Sequence, residues 1–175
     1  IGPNGAGKSS LAALLAGAAA PSNGSVQLDG VDVTRWQRTE HAPPIGYLPD
    51  EAMLIEGSVY ENIVRFGDHS LLSATRAAMR AGVHEVISAL PQGYDTPVGP
   101  AGEALSLRER RAVAFARAVH GEPSIVVLDE PGSGLDPVNV VLVRRLLREL
   151  AADGRAILLS THQMGEAEKL CRLVI

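Results

Sequence analysis

Cys171 is the only cysteine of the chain, so no disulfide can form within it and a reducing, cytoplasmic address fits. Basic residues are in the minority, 16 against 20 acidic ones, which leaves no electrostatic footprint for nucleic acid. No apolar run approaches the ~20 residues that cross a bilayer. The longest, residues 11–20, is interrupted by Gly17 and is mostly alanine. No basic stretch precedes an apolar core at the start, so no signal peptide is read there. Any membrane role therefore falls to a partner segment. What remains is 175 residues with 46% apolar content, enough to bury the core of an ordinary globular domain.

The pattern along the chain is that of an α/β protein. Residues 9–20 read as an alanine-rich helix ended by PSNG at 21–24. SVQLDGVDV at 25–33 alternates around Asp29-Gly30 and predicts a hairpin. Residues 35–44 read as a polar connection, and 45–48 as a short strand closed by Pro49. From about 58 to 121 the chain reads as helical. Capping-box spacing at 58–61 opens this stretch, helical periodicity covers 71–81 and 83–90, and a strong helix spans 106–120. Residues 91–102, with three glycines and three prolines, read as loop. Apolar strands at 124–128 and 156–160, helices at 137–152 and 164–171 and a strand begun at 173–175 then imply a parallel sheet. The helical insert is expected to form a second lobe, giving segments 1–57, 58–121 and 122–175.

Residues 2–9, GPNGAGKS, fit G-x-x-x-x-G-K-[ST]. Glycines let successive backbone N–H groups turn toward phosphates, and the following helix adds its positive end. Lys8 would reach the β- and γ-phosphates and the Ser9 hydroxyl would ligate Mg²⁺. A chance glycine-rich turn is the competing reading, opposed by Lys-Ser directly before a helix. The chain opens on Ile1, so it reads as cut just inside a domain, with the strand that should lead into this loop reduced to that residue. Farther on, a buried strand runs into Asp129-Glu130, which sets two carboxylates at the C-terminal edge of the sheet, where ligands bind in such folds. Asp129 would hold Mg²⁺ directly or through water, and Glu130 would polarise the attacking water.

The order GPNGAGKSS, IGYLP, ALS before a basic helix, VVLDEP, SGLD and STH resembles the ATPase domains of ABC transporters over essentially the whole chain. Residues 45–68, with AGVHE at 81–85 and GYDTPVG at 93–99, are similar to the exporter class and most of all to the ATPase–permease proteins of bacterial type I secretion. The resemblance implies the P-loop ABC ATPase fold with a helical subdomain, and ATP with Mg²⁺ as cofactors. It implies that Gly2, Pro3, Asn4, Gly5, Ala6, Gly7, Lys8, Ser9 and Ser10 cradle the phosphates. It makes Asp129 the Walker B aspartate, Glu130 the catalytic glutamate, Asp136 part of the D-loop, and His162 the switch histidine at the γ-phosphate. Ser106 would serve the ATP of a second ATPase domain, as homodimer or heterodimer. A transmembrane domain, upstream in the same chain or separate, would hold the assembly at the cytoplasmic face of the bacterial inner membrane.

Three positions depart from the family. Its glutamine after IGYLP is Asp50, still a hard-cation ligand but one that adds negative charge beside the γ-phosphate. Its Leu-Ser-Gly-Gly-Gln signature is LSLRE at 105–109, with Leu107 and Arg108 adding bulk where a helix N-terminus approaches the partner's ATP. Its acidic residue after Val98-Gly99 is Pro100, in a loop that faces the membrane domain. The aromatic residue that stacks on adenine is expected upstream of residue 1, with Tyr47 and Trp36 read as packing residues. These departures keep an alternative open, a nucleotide-binding regulatory or degenerate subunit with little turnover. A soluble ABC protein of DNA repair or translation fits less well, given the exporter-like loop at 94–99.

Overall fold

A computed structural model describes residues 2, 5–36, 44–67, 69–132, 137–162, 165, 167, 170 and 171. Its elements run, in chain order, α1 (Lys8–Leu15), β1 (Gln27–Leu28), β2 (Val31–Asp32), α2 (Val33–Trp36), β3 (Ile45–Leu48), α3 (Val59–Ile63), α4 (Leu71–Arg80), α5 (His84–Ser88), α6 (Leu107–Val119), β4 (Ile125–Asp129), α7 (Pro137–Ala152) and β5 (Ala156–Ser160). The chain forms two compact units. One comprises Ile1–Asp50, Pro123–Gly134 and Leu147–Ile175, the other Glu51–Glu122 and Leu135–Leu146.

The first unit is built on a parallel sheet of order β3-β4-β5. The central strand is apolar because both its faces are covered: Val126, Val127 and Leu128 are buried. Helix α1 packs on β4 and β5. Its Ala12 and Ala16 form a core with Val33, Ile45 and Val127, joined by Val26, Leu28, Tyr47 and Ile125. Alanines on that face let the helix lie close to the sheet.

Helix α1 is shorter than its alanine run suggests. It stops at Leu15, and the residue that stops it is Gly17 (φ 69°), not the PSNG stretch at 21–24. The Ala18 N–H donates to Ala13 O at 2.9 Å and the Gly17 N–H to Leu14 O at 3.1 Å, a Schellman closure. A Cβ at position 17 would also lie 2.8 Å from the Val33 carbonyl oxygen, so the turn is imposed by packing as well as by φ. The hairpin forms as its sequence predicts: β1 and β2 pair antiparallel across Asp29 (φ 52°) and Gly30 (φ 77°). Of the connection read at 35–44, residues 35 and 36 belong to α2, and 37–43 lie outside the described residues. The helix read at 164–171 has helical backbone at Gly165, Ala167 and Leu170, and the strand read at 173–175 lies outside the described residues.

The second unit is helical. The capping box read at 58–61 is present: the Ser58 N–H donates to Glu61 Oε2 at 2.7 Å and the Glu61 N–H to Ser58 Oγ at 3.1 Å. Residues 91–102, read as plain loop, hold 3-10 turns at 93–95 and 100–102 and a bridge from Ser58 to Pro97. The entry to α3 is pinned by Asn62, which is 1% exposed. Its amide accepts from Ile55 N–H at 2.9 Å and donates to Ile55 O at 2.8 Å and Ser58 O at 3.0 Å. Asn62→Ala removes three hydrogen bonds made by a buried amide and should destabilise the unit by about 1–3 kcal/mol. The full-length protein should show this as a fall of roughly 5–10 °C in the unfolding midpoint of the ATPase region.

At the far end of α6, buried His120 places Nε2 2.6 Å from Ser73 Oγ on α4 and packs its ring edge-on against His69. Burial, then the charges of His69 and Arg65, pushes its pKa down to about 4, so the ring is neutral at physiological pH.

Candidate active site

The loop that opens the first unit ends on Gly7 (φ 86°), the N-cap of α1. Gly5 (φ 82°) shares the left-handed conformation, and neither position has another atom within 4 Å of where a Cβ would stand. The N-cap glycine supplies no side-chain bond to α1, and the first turn carries no acidic residue. A helix start of this kind suits an anion. Lys8 donates to Gly2 O at 2.8 Å, which curls the loop back over the helix start. Gly5, Ala6, Gly7, Ser9 and Ser10 are exposed around it. Pro3 and Asn4 lie outside the described residues.

The acidic edge sits in the same unit. Strands β4 and β5 end in register, Asp129 opposite Ser160. Asp129 is 2% exposed and accepts a hydrogen bond from Ser160 Oγ, so the buried carboxylate has a fixed donor. Its negative charge, after burial, raises the Tyr47 hydroxyl above its usual range, which places that β3 ring near the same edge. Glu130 takes a positive φ of 47°. Its N–H donates to Ser160 O at 3.1 Å and extends the sheet by one bond. Its carboxylate Oε2 lies 2.9 Å from Nδ1 of His162. The carboxylate is shielded, with 12% of the Glu130 side chain exposed, while the His162 ring is 51% exposed. The edge thus presents a buried acid and a second acid held by an exposed histidine.

These residues fit a magnesium–triphosphate. The uncapped start of α1 suits the phosphates. Asp129 with the Ser9 hydroxyl suits a hard cation that takes one or two protein oxygens and completes its shell with phosphate and water. Among the described residues no three His, Cys, Asp or Glu side chains converge on a point, so a metal there would share its shell with a ligand.

Asp50 lies exposed two residues beyond β3, still at the C-terminal edge. Ser106 belongs to the other unit, as N-cap of α6. Leu107 and Arg108, the first residues of α6, are both exposed. Asp136 lies outside the described residues. Sequence reasoning missed Ser160 as the partner of Asp129 and Glu109 as the partner of Ser106. The second had a visible signal, the same Ser-x-x-Glu spacing that was read at 58–61.

The family model described as ABC transporter matches residues 1–133, more than half of the chain. The chain belongs to the ABC transporter family. Its fold is the ABC ATPase domain fold, α/β with a parallel sheet. A second family model, an AAA domain, matches residues 104–168 of this ABC ATPase domain. Type I secretion system ATP-binding protein PrsD of Rhizobium meliloti is 38% identical over 164 residues, 93% of this chain and 28% of that protein. Antigen peptide transporter 1 of Rattus norvegicus is 39% identical over 173 residues, 97% of this chain and 24% of that protein. Among solved structures, a bacterial Atm1-family ABC exporter with ATP bound superposes with a TM-score of 0.76 at 31% identity, covering 94% of this chain and 29% of the other. The chain spans about a quarter of the length of these relatives. No described helix of the domain is long and apolar enough to cross a membrane.

Proposed function

We propose that this domain binds and hydrolyses ATP to power export across a membrane, in a transporter of the type I protein secretion kind. The observation that carries the reading is the Glu130–His162 pair, held 2.9 Å apart beside buried Asp129 in the unit that carries the phosphate loop. Lys8 and the N–H groups of residues 5–10 bind and orient the triphosphate. Ser9 and Asp129 hold Mg²⁺, with Asp50 near enough to the edge to contribute; the ion supplies neutralisation of phosphate charge. Glu130 accepts a proton from the attacking water at Oε2 or Oε1, and His162 fixes that carboxylate. Relatives named for type I secretion and antigen peptide transport, and a fold match to an exporter, support export.

In this reading segments 1–57 and 122–175 form the ATP-binding core and 58–121 the signature lobe; the compact units divide the chain differently at 51–57 and 135–146, which group with the helical unit. Two such domains face each other, with Asp136 at their interface and Ser106 of each serving the ATP of the other. A transmembrane domain keeps the pair at the cytoplasmic face of the inner membrane. Nucleic acid has no part in it.

The second reading, a subunit with little turnover, is favoured by the LSLRE signature. A chain with intact Glu130 and His162 but an altered signature fits a heterodimer in which its own ATP occupies the more competent site. Restoring Leu107→Gly and Arg108→Gly together separates the readings. If bulk at the start of α6 limits the composite site, steady-state ATP turnover by the full-length assembly rises, by up to about tenfold for each ~1.4 kcal/mol of barrier removed. Unchanged turnover at saturating ATP shows that the two residues are tolerated and removes the argument for asymmetry.

A further inference from the structure

Strand β5 ends on a residue that holds both acids of the site. The Ser160 hydroxyl donates to Oδ1 of Asp129. A serine hydroxyl has one proton to give, and its lone pairs remain to accept. The Glu130 N–H lies 3.3 Å from that same Oγ and 3.1 Å from the Ser160 carbonyl oxygen. Glu130 stands at φ 47°, uncommon for a residue other than glycine, and these bonds fix its backbone there. Asp129 and Ser160 are register partners on parallel strands, so the contact is set by the sheet and not by a loop. A strand has no need of a serine at its end, since β-branched and aromatic residues suit the pleat better. The hydroxyl is committed to the acids.

That commitment matters for a cation. Mg²⁺ demands near-ideal octahedral geometry, keeps several waters and is bound through one or two carboxylates. A carboxylate that grips with both oxygens has too narrow a bite for that shell. With Oδ1 accepting the Ser160 proton, Oδ2 has the more charge to offer, and the hydrogen bond opposes the rotation that would exchange the two. Asp129 is 2% exposed, so water is a poor substitute for this donor.

We propose that Ser160 is a positioning residue for the cation of the ATPase site: its hydroxyl orients Asp129 to meet the ion, directly or through water, with one oxygen. This rests on the reading that Asp129 holds the ion. Ser160 touches neither the ion nor the nucleotide and acts only through the acids.

The test compares Ser160→Thr with Ser160→Val in the full-length protein. The two side chains share a shape that suits a strand and differ by the hydroxyl. Ser160→Ala, which leaves room for a water, is the second variant without a hydroxyl, and Asp129→Asn is the control. Mn²⁺ serves as the probe for Mg²⁺. Protein is kept in excess over a non-hydrolysable ATP analogue so that all the analogue is bound, and the paramagnetic resonance signal of free Mn²⁺ gives the affinity for the ion. Ser160→Thr should match wild type within about twofold, whereas Ser160→Val and Ser160→Ala should bind Mn²⁺ about tenfold more weakly, as loss of a partner behind a metal ligand does. Analogue affinity in EDTA should be unchanged in all three. Wild-type Mn²⁺ affinity in Ser160→Val and Ser160→Ala, with weakening in Asp129→Asn, overturns the role of Ser160 and leaves Asp129 as the cation's ligand. Equal weakening in Ser160→Thr, or a matching loss of analogue affinity in EDTA, shows a general disturbance of the edge and also overturns it. Unchanged Mn²⁺ affinity in Asp129→Asn removes the cation from Asp129, and the role of Ser160 falls with it.

Discussion

Glu130→Gln should lower ATP turnover by the full-length protein about 10²–10⁴-fold while MgATP still binds, the span that a positioned general base contributes. The amide has the shape of the carboxylate, so the bond to His162 Nδ1, now 2.9 Å, retains an oxygen to receive it. The backbone bond from Glu130 N–H to Ser160 O does not involve the side chain and survives. What is lost is the ability to take a proton from water. The negative charge near the phosphates is lost as well, so affinity should hold or tighten and the two domains should stay closed on ATP. Steady-state turnover and equilibrium binding, measured on the same preparation, check both halves. Turnover within about threefold of wild type would remove Glu130 from the chemistry, since a missing base costs far more than that.

Lys8→Ala acts one step earlier, on binding. The Lys8 ammonium is tethered to the loop at Gly2 O, 2.8 Å away, so its charge sits over the cradle. Charge-assisted bonds contribute about 1.5–3 kcal/mol each, so losing contacts to two phosphates should weaken MgATP binding by roughly 10²-fold or more. Alanine favours helix at the first position of α1, so the loop and helix should persist. A titration of nucleotide into the full-length variant reads the effect. An affinity within a few-fold of wild type would show that residues 2–9 do not form a phosphate cradle.

Much of the architecture was legible because its causes are local. Helix α7 and strand β5 match the sequence reading at both ends, since each is a single periodic run between breakers. The hairpin at Asp29-Gly30 and the box at Ser58–Glu61 follow from turn and cap chemistry confined to four residues. Helix α1 was read too long because alanine propensity continues to residue 20, whereas the close approach of Gly17 to Val33 O is a tertiary fact. The site was legible only as separate motifs. The pairing of Glu130 with His162, and of Asp129 with Ser160, depends on β4 and β5 being parallel neighbours that end in register, which no window of sequence contains. The box at Ser106–Glu109, like that at Ser58–Glu61, follows from cap chemistry confined to four residues.

We propose that this domain is an ATPase whose chemistry runs at Glu130. Steady-state MgATP hydrolysis by the purified full-length protein in lipid tests it most directly, with E130Q as the blank. Phosphate release is expected to saturate with MgATP and to fall about 10²-fold or more in the blank. Release by wild type no faster than by E130Q, at saturating MgATP, would contradict it.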